Sequence, residues 1–338
     1  MPPESAVFQD LLKTLMRLCG RADQLPRSCF VPSKMLTKVG SYATFHGGFA
    51  NVWHGSYDER DVALKELQIY EQDDLKAICR VFYREVLVWK FLRHPNVLPF
   101  VGINESISRF CMISPWATNG NITQYLKQDC MCDRTKLLQD AAAGLSYLHT
   151  LGIVHGDLKS ANILINFRGE ACLADFGLAT FMHNVNTIAA FASTTGGIRG
   201  SVRWMAPERM DPEGAGYVSS QPTKASDVYS FGITMVFTGV IPFHNSRNDA
   251  AVIAAVLSGK RPSRPPQPQA EEVGLSSSVW ALIERCWDQD PRKRPIIASV
   301  IEALQISRVL TFEFSEADQV RYTHVLSSVL RCCHLKGR

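Results

Sequence analysis

The sequence predicts an α+β protein of two lobes, a small antiparallel five-stranded sheet with one helix followed by a larger and mostly helical lobe. From Lys38 to Leu67 the residues alternate and are rich in aromatic and β-branched side chains, punctuated by Gly47-Gly48 and Gly55, the pattern of antiparallel strands joined by turns. After that run the apolar period changes to the helical one, first through Val81, Val88, Trp89 and Leu92 and later through Leu137, Leu138, Ala141, Leu145 and Leu148. The length, 338 residues, exceeds what one core usually organises and suits one two-lobed unit with short extensions.

Composition narrows the function classes. With 46% hydrophobic and 20% charged residues the chain belongs with folded globular proteins. Lys plus Arg number 36 against 32 Asp plus Glu, too small an excess to argue for nucleic acid or an anionic membrane as partner. The ten cysteines lack metal-finger spacing, and Cys130/Cys132 and Cys332/Cys333 have no matching pair, so free thiols in a reducing, cytoplasmic setting are expected. Cys332-Cys333 also lacks the position of a prenylation signal. Glu4 and Asp10 stand early without a long apolar run, so no secretory signal is expected. The most hydrophobic window, 229–243, carries Gly232 and Gly239 and is too short for a bilayer, so it reads as a buried helix and no membrane span is expected.

Each element follows from local pattern. Val7, Leu11, Leu12, Leu15, Met16 and Leu18 give residues 5–20 a helical rhythm closed by Gly20, after which Pro26 and Pro32 break it. Residues 1–37 therefore read as a helix and linker against the first lobe. Two or three strands fill 38–67, and the helix carrying Glu85 ends at His94-Pro95, because proline disfavours helical geometry in the residue before it. Val97–Gly102 and Arg109–Ser114 complete the sheet. Ser114-Pro115-Trp116-Ala117 and Asn119-Gly120-Asn121 form a connection, then helices cover Ile122–Lys127 and Arg134–Leu151, the latter stopped by Gly152. Residues 175–208 are long, hold Thr187, Ser193, Thr194 and Thr195 with few apolar anchors, and read as a mobile loop. A buried helix begins at Asp227, Arg261–Pro268 is a proline-rich connection, closing helices fill 279–310, and 311–338 form a mixed tail.

Chemistry concentrates in His155-Gly156-Asp157-Leu158-Lys159-Ser160-Ala161-Asn162 and in Asp175-Phe176-Gly177. Two acids, an amide and an ammonium on loops at the ends of apolar runs suit phosphoryl transfer, where positioning and charge neutralisation supply nearly all the acceleration. Asp157 can accept the proton of an attacking hydroxyl, Asn162 and Asp175 offer the hard oxygen ligands that Mg²⁺ prefers, and Lys159 can neutralise charge on the moving phosphoryl group. These two motifs resemble the catalytic loop and the metal-binding turn of the eukaryotic protein kinases. The resemblance extends over residues 38–308 and implies the bilobal protein-kinase fold, with an N-lobe over 38–114, a hinge over 115–120, a C-lobe over 121–308 and a C-terminal extension over 309–338.

By the same resemblance Val62-Ala63-Leu64-Lys65 is the strand whose lysine grips the ATP phosphates, paired with Glu85. Asp157, Lys159, Lys65 and Glu85 are then the catalytic set, and Asn162 and Asp175 the metal ligands. Nucleotide contacts fall on Gly47, Gly48, Val52, Ala63, Lys65, Ser114, Pro115, Ala117 and Leu164, with adenine held by the Pro115 carbonyl and the Ala117 N–H. The glycine-rich turn departs from the family, whose three glycine positions here hold Phe45, Gly47 and Ala50. Phe45 is expected to cap the phosphates. Gly200 to Glu208 matches the substrate platform, Arg294 is the expected partner of Glu208, and Asp227 the holder of the catalytic loop. Gly156 stands where most kinases carry the arginine that receives an activation-loop phosphate. Lys159 and Ser201 resemble serine/threonine kinases, while Arg203-Trp204-Met205-Ala206 and Asp227 to Gly232 resemble tyrosine kinases. This blend points to the tyrosine-kinase-like group, acting on protein substrates with ATP and Mg²⁺. Phe45, Ala50 and Gly156 motivate the competing class, a pseudokinase that binds nucleotide or scaffolds without turnover. A tyrosine or dual-specificity kinase is the other alternative.

Overall fold

The computed structural model describes residues 5–46, 50–69, 74–129, 132–176, 201–236, 241–266, 270 and 274–307. Strands β1 (Leu36–Lys38), β2 (Phe45–His46), β3 (Ala50–Tyr57), β4 (Arg60–Leu67), β5 (Gly102–Ile103) and β6 (Cys111–Pro115) form one antiparallel sheet in the order β1-β3-β4-β6-β5, with β2 also on β3. The expected first strand is thus split in two. Leu36 to Lys38 pair with Tyr57 to Gly55, Phe45 and His46 pair with Val52 and Asn51, and Gly40 leaves the ladder at φ +83°. Both pieces lie on the same edge of β3, so the sheet remains five strands wide. Gly55 is required where β1 crosses, since a Cβ there would lie 2.7 Å from the Thr37 carbonyl oxygen. The β3–β4 turn uses Asp58 and Glu59, both at positive φ, the handedness that matches strand twist.

The strand expected over Val97–Gly102 is shorter than its pattern suggests. Pro99 has no N–H to give a ladder, and the residues before it dock on the other lobe instead. Leu98 donates to the Leu173 carbonyl (2.9 Å) and Leu173 to the Asn96 carbonyl (2.9 Å). Gly102 and Ile103 form the strand on β6, flanked by bonds from the Val101 and Asn104 N–H groups to the Ile113 and Cys111 carbonyls.

Helix α1 (Ala6–Ala22) is capped by Ser5, whose side chain accepts from the Phe8 N–H. It runs through Gly20 and stops at Asp23 in the left-handed region, two residues later than expected. Its apolar side packs on α2 (Leu75–Phe91), where Phe8 meets Phe91 edge-on at 5.4 Å. Beyond it, Phe30 bridges to Ile103 and Val31 donates to the Ile103 carbonyl (3.0 Å), covering the edge strand that would otherwise present unpaired backbone groups.

The larger lobe contains α3 (Ile122–Gln128), α4 (Arg134–Thr150), the hairpin β7 (Ile163–Ile165) and β8 (Ala171–Leu173), then α5 (Pro207–Met210), α6 (Lys224–Thr234), α7 (Asp249–Leu257), α8 (Ser277–Cys286) and α9 over 297–307. Asn121 and Gln124 make reciprocal caps on α3, and Thr223 and Ser226 do the same on α6. Every described residue of α6 from Ser226 to Thr234 is buried. Gly232 lets α8 approach, since a Cβ there would lie 2.7 Å from Cys286 Cβ. The buried apolar side chains of α2, α4, α6 and α8 belong to one continuous cluster spanning both lobes. Truncating a central member such as Phe231 to alanine would cost about 3–5 kcal/mol. Among the described residues no helix is long and apolar enough to cross a membrane. Residues 308–338, which hold the expected C-terminal extension, lie outside the described residues.

Candidate active site

Helix α4 ends at Leu151, and Gly152 turns the chain at φ +73° into the loop that carries the chemistry. That loop is hung from α6. The buried Asp227 carboxylate accepts from the N–H of His155 (2.8 Å) and of Gly156 (2.8 Å), and its Oδ2 lies 2.9 Å from His149 Nε2. A buried carboxylate needs such partners, and Asp227 obtains them from the loop backbone itself. Held in this way, Asp157 accepts on Oδ2 from Lys159 Nζ (2.7 Å), which also donates to Ser201 Oγ (2.8 Å). Asn162 Nδ2 donates to the Asp157 carbonyl (2.8 Å) and reaches its Oδ2 at 3.3 Å. The structure therefore brings Asp157, Lys159 and Asn162 together with Ser201.

Asp175 follows directly, because the Ala174 N–H donates to the Asn162 carbonyl at 2.9 Å. It sits at φ +58°, a region Asp tolerates better than most residues. Its Oδ1 accepts from Lys65 Nζ at 2.6 Å. Burial alone would raise the Asp175 carboxyl, but the charge and hydrogen bond of Lys65 outweigh it and hold the group below the usual carboxylate range. Burial likewise works against the Lys65 ammonium, yet Asp175 and Glu85 raise it above its ordinary value.

Here the structure departs from expectation. Lys65 pairs with Asp175, and the Lys65–Glu85 ion pair is not made. Glu85 is buried on α2 with Oε2 lacking a hydrogen-bond partner. Burial pushes its carboxyl up to about 8, with Lys65 opposing and Asp175 adding to the rise. The physical reason is competition for one ammonium, in which Asp175 holds the hydrogen bond and Glu85 is left with the longer-range attraction alone.

Aromatic rings connect the two halves. Phe176 stands between His155 (6.3 Å) and Trp89 of α2 (5.8 Å), edge-on to each, and Trp89 in turn meets Phe100 at 5.3 Å. His155 is fully buried, and burial lowers its pKa, so it is a neutral packing ring in this column.

The proposed nucleotide contacts lie along the junction of the lobes. Val52 faces Lys65 across β3 and β4, and Ala63 faces the buried Ser114 across β4 and β6. Pro115 closes β6, and the Ala117 carbonyl accepts from the Gly120 N–H (3.0 Å) at the turn into α3. Leu164 on β7 bridges to Asn121 beneath that turn. Gly47, Gly48 and Gly177 lie outside the described residues, as do Thr187, Ser193, Thr194 and Thr195. The Phe45 ring, expected over the phosphates, stacks on Trp116 at 6.2 Å and 25°.

Glu208 and Arg294 make two parallel bonds of 2.7 Å, and two further donors of Arg294 meet the Asp288 and Ala225 carbonyls. This pair is buried. The contact that sequence reasoning missed is made by the next residue, Arg209, whose Nη1 donates to the Gly156 carbonyl at 2.8 Å. Only its place directly after Ala-Pro-Glu could have drawn notice.

Asn162 and Asp175 fit a hard divalent cation. The Asn162 amide nitrogen is committed to Asp157, which leaves its side-chain oxygen as an acceptor, and Asp175 has Oδ2 as a carboxylate oxygen besides the Oδ1 that Lys65 occupies.

Comparison with known proteins agrees with this geometry. A family model described as protein tyrosine and serine/threonine kinase matches residues 40–304. The serine/threonine/tyrosine-protein kinase HT1 of Arabidopsis thaliana is 30% identical over 77% of this chain and 63% of its own length. Serine/threonine-protein kinase CTR1 of the same plant is 32% identical over 82% of this chain and 31% of its own. The dual specificity protein kinase zakA of Dictyostelium discoideum is 29% identical over 75% and 33% respectively. The chain thus spans from about a third to just under two thirds of the length of these relatives.

Proposed function

The chain belongs to the protein tyrosine and serine/threonine kinase family, and from that premise we propose that it transfers the γ-phosphoryl group of ATP to serine and threonine hydroxyls of proteins. The single observation that carries this reading is the bonded set Asp157, Lys159, Asn162 and Ser201. Asp157 accepts the proton of the incoming hydroxyl on the oxygen that Lys159 leaves open. Lys159, anchored by Ser201, places a positive charge where the phosphoryl group moves between acceptor and donor oxygens. Lys65 orients the nucleotide phosphates, and Glu85 is the second carboxylate that acts on its ammonium. Asn162 and Asp175 would hold Mg²⁺, which would supply neutralisation of phosphate charge. Val52, Ala63, Ser114, Pro115, Ala117 and Leu164 line the base site, with Gly47 and Gly48 over the phosphates. The Ser201 hydroxyl on Lys159 favours hydroxyl acceptors of the serine and threonine type and a place in the tyrosine-kinase-like group. The sheet and Glu85 helix form the N-lobe (38–114), residues 115–120 the hinge and 121–308 the C-lobe, flanked by the extensions 1–37 and 309–338.

Burial pushes the thiols of Cys111 and Cys286 up to about 12 and that of Cys172 to about 11. Such protonated, free thiols suit a reducing cytoplasmic setting.

Phosphoamino-acid analysis after incubation with labelled ATP and a mixed protein substrate tests the acceptor class. Label on serine and threonine is expected. Label on tyrosine alone would transfer the assignment to the other acceptor class, and absence of label on any residue would favour the pseudokinase.

A further inference from the structure

Gly156 is held at both ends of its own residue. Its N–H donates to Asp227 Oδ1 of α6 at 2.8 Å, and its carbonyl accepts from Arg209 Nη1 of α5 at 2.8 Å. At φ +80° it occupies the left-handed region, which a side chain would strain, so the carbonyl direction that meets Arg209 depends on glycine at this position. The next residue is Asp157.

The cost of placing a guanidinium here is visible. Burial lowers the pKa of Arg209, while the carboxylates of Asp227, Asp157 and Glu208 act in the opposite sense and keep the cation in place. Its Nε reaches the Ser220 carbonyl at 3.4 Å. Glu208, its chain neighbour, is fixed by the two bonds from Arg294, so the backbone that carries Arg209 is anchored independently of the loop it grips. A solvated arginine would need none of this. Gly156 itself supplies no cation to the loop, and Arg209 supplies one from a different element.

We infer that Arg209 is a positioning residue for Asp157, fixing the catalytic loop through the Gly156 carbonyl. The inference rests on the phosphoryl-transfer reading and adds to it a structural support that sits directly after the substrate platform.

Two variants of the full chain test it, Arg209→Met, which keeps the apolar stem and removes the donors, and Arg209→Lys, which keeps the charge. The Met variant is expected to lower kcat about tenfold or more, with KM for ATP within about twofold, as expected for losing a charge-assisted bond outside the nucleotide site. The Lys variant should recover most of that loss. Amide hydrogen exchange at His155 and Gly156 should quicken in the Met variant, while exchange along α6 and the melting temperature stay near those of the wild type. Wild-type exchange at His155 and Gly156 in the Met variant overturns the inference whether or not transfer is seen. So does a loss of kcat that the Lys variant shares in full, or one accompanied by faster exchange throughout α6. A wild type that transfers no phosphate is a different result, since it sinks the kinase reading itself.

Discussion

The two halves of the active site are built to different standards. On the large-lobe side, Asp157, Lys159, Asn162 and Ser201 are bonded to one another and Asp227 to the backbone of His155 and Gly156, all at 2.7–2.8 Å, and the elements behind them are locked by the Glu208–Arg294 pair. On the small-lobe side, Lys65 is engaged with Asp175 and Glu85 has no hydrogen-bond partner for Oε2. These bonds make one half a fixed frame, although His155 Nε2 within it has no hydrogen-bond partner. A buried carboxyl oxygen without a partner marks the other as the half with an unspent interaction, and Lys65 is the cation that acts on that carboxyl. On the proposed reading, the acceptor side is already bonded together, while the nucleotide side would need a change of partners between Lys65, Glu85 and Asp175. Helix α2, clamped by α1 through Phe8 and Phe91, is the element that must accommodate it.

Breaking each half should therefore give different signatures. Arg294→Ala leaves the Glu208 carboxylate buried and alone, and is expected to cost about 3–5 kcal/mol in a denaturant titration. A loss under about 1 kcal/mol would mean that the frame is not held by this pair. Lys65→Met should lower kcat/KM for ATP by about a hundredfold or more with little change in melting temperature, because the charge it removes serves the phosphates more than the fold. A Lys65→Met protein that turns over normally would show the small-lobe half to be dispensable.

Glu85 provides a pH test of the same comparison. Its carboxyl keeps a proton up to about 8 in the folded chain but titrates near its ordinary value of 4.5 when unfolded. The folded state thus holds the extra proton across that window. Its contribution to stability is complete below about 4.5 and is lost as pH rises toward and through 8. Glu85→Gln should flatten this part of the stability profile, and parallel profiles for the two proteins would contradict the assignment. The smallest effect is expected from alanine at Thr187, Ser193, Thr194 and Thr195. Each should reduce activity less than tenfold in a turnover assay, since Gly156 carries no arginine to read a phosphate there. A larger loss would identify another basic reader.

The large-lobe half was the more legible in the sequence for a physical reason. Asp157, Lys159 and Asn162 are close in the chain, so their contacts are fixed by one loop. Asp227 and Arg294 lie far along it and were reached only through the resemblance to kinases. The small-lobe half is set by distant competition. The resemblance to kinases paired Lys65 with Glu85 and gave Asp175 to the metal, and nothing local decides which carboxylate holds the ammonium. Pro99 was visible as a residue without a donor, yet its consequence, the docking of Leu98 on Leu173, needed the other lobe in place. Phe45 could be seen to replace a glycine, but its seat on Trp116 depends on how the sheet meets the hinge. Arg209 was the least legible, because nothing local distinguishes a buried arginine from a solvated one.

The central claim is that Asp157 serves the acceptor hydroxyl inside a cleft that binds ATP by other groups. Phosphate transfer and ATP affinity measured side by side for the wild type and Asp157→Asn test it most directly. The account predicts that the variant loses transfer by a factor of about a thousand or more while its ATP affinity stays within a few-fold of the wild type. Equal transfer by the two proteins would contradict it.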